Sequence, residues 1–184
     1  MAQMVIVSLH AHLESKAETF IRRTWEQAAQ LQLEIERAPE GIRPHMTMGS
    51  WRLADVPPGF TEKLVATLST LPTVQLRLNL QLGIKEFVHF YLVPVINHDL
   101  LAYHEHLHKA IGDVGRRYRP TDFPGSWAPH VSTFACREKD LPTAFQIIKC
   151  LPYPLATSIT GMGLVRYGEG EIKTLASFDL AKPA

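Results

Sequence analysis

The sequence predicts an α+β fold built from two similar halves, and two observations support this prediction. After one N-terminal strand, the order helix, motif strand, helix, strand, strand occurs twice along the 184 residues. Corresponding helix starts, motif histidines and following strands are offset by about 82 to 85 residues. We therefore expect a single domain over residues 1–184. Its two pseudo-repeats, of about 1–95 and 96–184, would be related by an approximate twofold axis.

The predicted elements follow from hydrophobic periodicity and from turn residues. The segment from Val74 to Leu82 alternates apolar and polar residues and is the clearest half-buried strand in the chain. Ser15 and Glu18 have capping-box spacing, which predicts that the first helix begins there. Further strands are predicted at about 4–13, 45–53, 87–95, 130–137, 155–167 and 171–180, and further helices at about 64–71, 97–114 and 140–151.

Two short segments, one in each half, both read Pro-His-x-(Thr/Ser). Of the nine histidines, only His45 and His130 have a serine or threonine two places on, and both follow a proline. Residues i and i+2 of a strand point to the same face. His45 therefore shares a face with Thr47, and His130 shares one with Ser132. The pseudo-twofold order predicts that these two faces meet across a groove.

Composition limits the classes of function. A net charge of +1 disfavours binding of long nucleic acid through many phosphate contacts, and favours a small or local anionic substrate, RNA ends included. No apolar run reaches membrane-spanning length, and the N-terminus lacks the pattern of a signal peptide. The two cysteines provide no disulfide framework. We expect a cytoplasmic monomer without an obligate protein partner.

The paired motifs and the order of elements resemble the 2H phosphoesterase superfamily, which includes 2′-5′ RNA ligase-like proteins and RNA 2′,3′-cyclic phosphodiesterases. The resemblance covers essentially the whole chain, and Ser132 in place of the commoner threonine lies within the family pattern. It implies a bilobal, pseudo-twofold 2H phosphoesterase fold with two antiparallel sheets flanked by helices around a central groove. The implied substrate is a 2′,3′-cyclic phosphate on an RNA end or nucleotide, or a 2′-5′ linkage that is made and broken reversibly.

Two imidazoles that face one phosphodiester can divide the acid–base work of its cleavage. Histidine titrates near pH 6.5, so one ring can accept a proton while the other donates one. The hydroxyls of Thr47 and Ser132 can donate hydrogen bonds to the non-bridging phosphate oxygens. We expect His130 to activate water as the base and His45 to protonate the leaving ribose oxygen, although the near-symmetry allows the reverse order. This chemistry needs no metal and no cofactor.

Several residues outside the motifs are candidate substrate contacts: Tyr91, Arg116, Arg119, Trp127 and Tyr167. The arginines could meet phosphates and the aromatic rings could stack on a base, whereas a solvated loop or core packing is the alternative for each. His10 and His12 share one face of the first strand and could reach the same groove. Arg52 and Arg137 recur at equal offsets, but strict alternation places both opposite the histidines, so neither is a candidate.

The segment His104-Glu105-His106-Leu107-His108 matches His-Glu-x-x-His on a predicted helix. That spacing places two imidazoles on one helical face beside a glutamate, as in zinc hydrolases. No third ligand is evident, and His104 lies beside the apolar stripe of the helix. A histidine-rich helix packed on the sheet is therefore the preferred interpretation. The remaining alternative is a non-catalytic module that binds RNA ends or nucleotides on the same fold.

Overall fold

A computed structural model of the chain describes residues 4–33, 35–36, 41–84, 86–168 and 171–182. Its strands are β1 (Val5–Leu13), β2 (Ile35–Glu36), β3 (His45–Leu53), β4 (Val74–Ile84), β5 (Val88–Pro94), β6 (Arg116–Arg117), β7 (Val131–Cys136), β8 (Leu155–Gly168) and β9 (Glu171–Asp179). Its helices are α1 (Ser15–Gln30), α2 (Phe60–Leu68), α3 (His98–Ile111) and α4 (Leu141–Ile148). Within these described ranges, no helix is long and apolar enough to cross a membrane.

The described strands form one continuous antiparallel sheet that divides into two parts. One part has the order β6-β3-β1-β8-β9, and the other has the order β4-β5-β7-β2. The first segment of the long strand β8 pairs with β4, and Met46 of β3 pairs with Val131 of β7. The two parts are therefore joined at both places, and the helices flank them. This arrangement confirms the predicted fold class, and it shows that the two expected sheets are joined into one.

Each lobe has its own hydrophobic core, and each takes elements from both halves of the chain. The larger core lies among β1, β3, β8, α2 and α3, and the smaller one lies among β5, β7, α4 and the end of α1. Helix α1 belongs to the first half but contacts β7 of the second, whereas α3 of the second half lies beneath β3 of the first. The division of the chain into two pseudo-repeats stays a prediction. The two hydrophobic cores are not divided between the first and second halves of the chain.

The first residues of α1 and α3 show how far the local sequence predicts the capping of a helix. The sequence offers Asn97 or Asp99 as the cap of α3, and the structure has Asn97, whose side chain accepts a hydrogen bond of 2.8 Å from the backbone N–H of Leu100. Helix α1 begins at Ser15, but its capping box does not form, so that prediction was wrong. The carboxylate of Glu18 instead binds Arg43, at 2.7 Å between Oε2 and Nη2, and Arg22. A long-range ion pair has replaced the local cap and secures the loop before β3.

Glycine is required at one position where β8 pairs with β9. A Cβ atom on Gly161 would lie 2.8 Å from the carbonyl oxygen of Phe178, which is backbone and cannot move aside cheaply. We predict that Gly161→Ala lowers the free energy of unfolding in urea by about 1–3 kcal/mol, because overpacking must shift the strand. Gly168→Ala on the same strand is the matched control, since the nearest atoms to its Cβ would be 3.9 Å away. Equal losses in the two variants would contradict this interpretation.

Candidate active site

Each motif strand contains one extra residue, three places after its histidine. The pairing of β1 with β3 skips Met48, and the pairing of β5 with β7 skips Thr133. Such a bulge bends the strand and turns the side chains that follow it to the other face. Because the same irregularity follows both His45 and His130, the two motif strands correspond in backbone geometry as well as in sequence.

A helix binds the carbonyl oxygen of each bulged residue through its side chains. Helix α3 does so at Met48, and helix α1 does so at Thr133. The Met48 oxygen lies 2.9 Å from Nε2 of His104 and 2.8 Å from Nε2 of His108, both on α3. The Thr133 oxygen accepts a hydrogen bond from the indole N–H of Trp25 on α1. Trp25 and His108 are each the eleventh residue of their helix, so corresponding positions do the same structural task.

These contacts account for the His-Glu-x-x-His segment. The Nε2 atoms of His104 and His108 both meet the Met48 carbonyl and lie 3.1 Å from each other, while Glu105 is exposed. Among the residues that the structure describes, no group of three or more His, Cys, Asp or Glu could hold a metal ion. Trp127 stacks on His104 at 3.8 Å between ring centroids. The geometry supports the packed helix over the zinc hydrolase.

The two motif histidines lie diagonally across the pairing of β3 with β7. These strands pair at the residue that follows each histidine, and both of those residues are buried. Continuing the antiparallel register by one place puts His45 opposite Ser132 and Thr47 opposite His130. Opposite side chains in such a pair start about 4.5–5.5 Å apart, and diagonal neighbours about 7–8 Å apart. The four side chains therefore lie close together on one face of the sheet.

Both imidazoles are oriented in the same way. Nδ1 of His45 lies 2.8 Å from the carbonyl oxygen of Arg43, and Nδ1 of His130 lies 2.9 Å from the carbonyl oxygen of Ala128. A carbonyl oxygen only accepts hydrogen bonds, so Nδ1 carries the proton in each neutral ring. Nε2 is then the ring atom that can accept a proton. Sequence spacing predicted the two rings but not this shared tautomer.

The surroundings of the two histidines differ. His45 is partly buried and stacks on the ring of His10, with 3.6 Å between centroids and an angle of 7°. Burial lowers the pKa of His45, and the nearby His130 lowers it further, against the opposing effect of the hydrogen bond to Arg43. His10 is buried, and burial holds its pKa well below the ordinary value. His130 is exposed and meets the ring of Tyr91 edge-on at 4.8 Å.

A cavity of about 240 Å³ opens beside one of the two histidines. It begins at His45 and Thr47 and continues to Ser50 and Asp122. Its floor is the face of the sheet formed by β1, β3 and β8, and the loop after β6 covers it. His45 lines this cavity, whereas His130 is not among its lining residues.

The structure separates the predicted substrate contacts into two groups. Arg119 and Tyr167 line the cavity, and Tyr91 lies against the second histidine. Trp127 packs beneath β3, where its indole N–H donates a hydrogen bond of 3.1 Å to the Thr47 carbonyl. Arg116 lies in the exposed edge strand β6. Neither Trp127 nor Arg116 is among the residues that line the cavity.

The bulge at Met48 overturns the strict alternation assumed for β3. Beyond it, Ser50 and Arg52 face the same side as His45, so the expectation that Arg52 faces away was wrong. The guanidinium of Arg52 lies 4.9 Å over the ring of Tyr118, which lines the cavity. Ser50 was missed for the same reason, since one extra residue leaves no mark on the hydrophobic pattern.

Comparison with known proteins agrees with this geometry. The family model of the 2′-5′ RNA ligase superfamily matches residues 14–171 of the chain. The chain belongs to this superfamily. Membership confirms the resemblance to 2H phosphoesterases that the two His-x-(Thr/Ser) motifs indicate. No curated protein matches the chain in sequence.

Solved structures share the superfamily fold at low sequence identity. E. coli LigT complexed with 3′-AMP is 13% identical, with a TM-score of 0.55 over 97% of this chain and 99% of that one. The protein TT0787 of Thermus thermophilus is 15% identical, with a TM-score of 0.51 over 97% and 100%. Usb1 of Kluyveromyces marxianus is 12% identical, with a TM-score of 0.50 over 95% and 98%. At such identities the likeness shows the fold alone.

The buried histidine beneath β3 predicts a pH-dependent stability. Burial and the neighbouring His108 lower the pKa of His104 to about 4, whereas histidine in the unfolded chain titrates near 6.5. Between these values the unfolded state binds a proton that the folded state does not, so stability falls as pH falls. The free energy of unfolding of the unaltered protein should therefore fall between pH 7 and pH 4.5. We predict that this fall is smaller by about 1–3 kcal/mol in His104→Gln, measured by urea unfolding at both pH values.

The matched control for this prediction is His106→Gln, because His106 is exposed on the same helix. This variant should keep the pH dependence of the unaltered protein. A His104→Gln protein whose stability declines as steeply as that of the unaltered protein would contradict the role given to the buried ring.

Proposed function

We propose that this protein is a metal-independent phosphodiesterase that hydrolyses a 2′,3′-cyclic phosphate on an RNA end or nucleotide. Reversible joining of 2′-5′ RNA linkages by the same site belongs to the proposal. The observation that carries it is the matched pair of imidazoles on adjoining strands, each with its Nδ1–H held by a carbonyl two residues earlier. With each Nδ1 so held, Nε2 is the ring atom left to accept or deliver a proton, as acid–base cleavage of a phosphodiester requires.

The hydroxyls beside the histidines complete the phosphate site in this proposal. Thr47 lies on the cavity side of the groove, and Ser132 lies exposed beside the second ring. Each can donate a hydrogen bond to a non-bridging oxygen, where negative charge accumulates in the transition state. The exposed guanidinium of Arg119 at the cavity wall adds positive charge for the same oxygens or for a flanking phosphate.

The unequal burial of the two histidines favours one order of proton transfer. A base must be neutral before it reacts, and the lowered pKa of His45 favours its neutral form. We therefore propose His45 as the base that activates water and His130 as the acid that protonates the leaving ribose oxygen. This order reverses the one expected from the sequence.

The cellular setting of the reaction is part of the proposal. Cys136 is buried and Cys150 is exposed, and both are free thiols, which agrees with a reducing compartment. The E. coli LigT structure that shares this fold holds 3′-AMP, which is a nucleoside monophosphate of the size that the cavity admits. We propose a cytoplasmic monomer that acts on RNA ends or free cyclic nucleotides.

Hydrolysis of nucleoside 2′,3′-cyclic phosphates in the presence of EDTA tests the activity. We predict that His45→Ala and His130→Ala each lower kcat by about 10²–10⁴-fold, because each removes one partner of the acid–base pair. His98→Ala, on a fully exposed side chain at the start of α3, is the matched control and should keep full activity. Turnover abolished by EDTA would favour the zinc alternative, and nucleotide binding without turnover would favour a non-catalytic module.

A phosphodiester with a p-nitrophenolate leaving group separates the two roles. Such a leaving group needs no proton, so loss of the general acid should matter much less for this ester than for a ribose oxygen. We predict that His130→Ala regains at least about tenfold of its lost rate on the activated ester, whereas His45→Ala is equally impaired on both substrates. The opposite pattern of rescue would restore the order expected from the sequence.

A further inference from the structure

The far end of the cavity holds a buried carboxylate that the proposed reaction does not use. Asp122 is 8% exposed and lies in a short 3-10 turn, Pro120–Asp122, that covers the sheet. Its Oδ2 accepts a hydrogen bond from the hydroxyl of Ser50 on β3. Both side chains line the cavity that begins at His45. Ser50 reaches this position because the bulge at Met48 turns it to the groove side.

Burial makes this carboxylate costly. A charge removed from water destabilises the fold unless hydrogen bonds or opposite charges compensate it. The hydroxyl of Ser50 and the nearby ring of His108, whose pKa burial lowers, compensate it only in part. A carboxylate offers about four lone-pair positions, so Asp122 can accept further hydrogen bonds from a ligand. An asparagine side chain at this position could also accept the hydrogen bond from Ser50, without the free-energy cost of a buried charge. The position of the charge is therefore better explained by a ligand that carries N–H donors.

The distance from the histidines to Asp122 suits one nucleotide. Thr47 and Ser50 pair with His10 and Ser8, which are two residues apart on β1, so the bulged strand advances about 7 Å between them. A phosphate held at His45 and Thr47 would place its own nucleobase toward Ser50 and Asp122. The cavity of about 240 Å³ admits a single base but not a base pair. Tyr118 and Tyr167 both line it and supply aromatic surface on which a base can stack.

We propose that this cavity is a nucleobase subsite in which Asp122 selects guanine at the nucleotide that carries the scissile phosphate. The inference rests on the proposed function, because it assumes that His45 and Thr47 hold that phosphate. Guanine presents two adjacent donors, N1–H and the N2 amino group, that fit the two oxygens of a carboxylate. Adenine and cytosine present one amino group beside an acceptor nitrogen. Uracil presents one N–H between two carbonyl oxygens, which repel a carboxylate.

Calorimetric titration with the four nucleoside 3′-monophosphates tests the subsite without requiring turnover. We expect the guanosine nucleotide to bind at least about tenfold more tightly than the uridine nucleotide, as a two-point base contact should provide. In Asp122→Asn that ratio should fall to within about threefold, because an amide presents one donor and one acceptor. In Ser50→Ala the ratio should persist, since the carboxylate remains. Asp113→Asn, an exposed aspartate, is the matched control.

The possible results separate this inference from the proposed function. Four equal affinities in the unaltered protein would overturn the inference, whether or not Asp122→Asn folds. A guanine preference that survives in folded Asp122→Asn would also overturn it, and would leave Asp122 with the structural task of holding Ser50. A guanine preference that Asp122→Asn removes supports the subsite, even if no cyclic phosphate is hydrolysed. That last combination would reject the phosphodiesterase and indicate a guanine-nucleotide binding module.

Discussion

The geometry of this site depends on the backbone pairing of β3 with β7 directly after the two histidines. Two strands from opposite halves of the chain meet at Met46 and Val131, and this single contact places two imidazoles and two hydroxyls on one surface. Three residues after each histidine the strand bulges, and a helix side chain holds the carbonyl of the bulged residue. Loss of that support would free the backbone from which the histidine projects.

The support crosses between the halves of the chain. Helix α1 of the first half contacts β7, and helix α3 of the second half lies beneath β3. Each motif strand is therefore held by a helix from the other half of the chain. The indole of Trp25 binds the bulged carbonyl in β7, and the imidazoles of His104 and His108 bind the one in β3. The twofold relation is thus kept in geometry where the residue types differ.

The electrostatic environment breaks this symmetry. One histidine is stacked on a second, buried imidazole and lines the cavity, whereas the other is exposed beside a tyrosine. Burial disfavours the charged form of a histidine and lowers the pKa of His45, although both rings make the same hydrogen bond at Nδ1. The fold thus gives the two rings the same orientation, and their neighbours give them different surroundings.

Sequence patterns were sufficient for most of the fold and for the central pair of histidines, because period-2 and period-3.6 burial and the repeated motif are local signals. Three features were beyond their reach. A one-residue bulge leaves composition unchanged, so alternation placed Arg52 on the wrong face and hid Ser50. Glu18 has capping-box spacing but pairs with Arg43, which is distant in sequence. Asp122 lies between regular strands, and its hydrogen-bond partner Ser50 is 72 residues away in the sequence, so no local pattern relates the two.

The most direct test of the two-histidine account is the nitrogen-15 NMR spectrum of the imidazole rings, assigned with His→Gln variants. The account predicts that His45 and His130 are both Nδ1–H tautomers in their neutral forms, because each Nδ1 donates to a backbone carbonyl. It also predicts that a nucleoside 3′-monophosphate shifts the Nε2 resonances of both rings together. An Nε2–H tautomer at either position, or a response confined to one ring, would contradict the claim that both act on one phosphate.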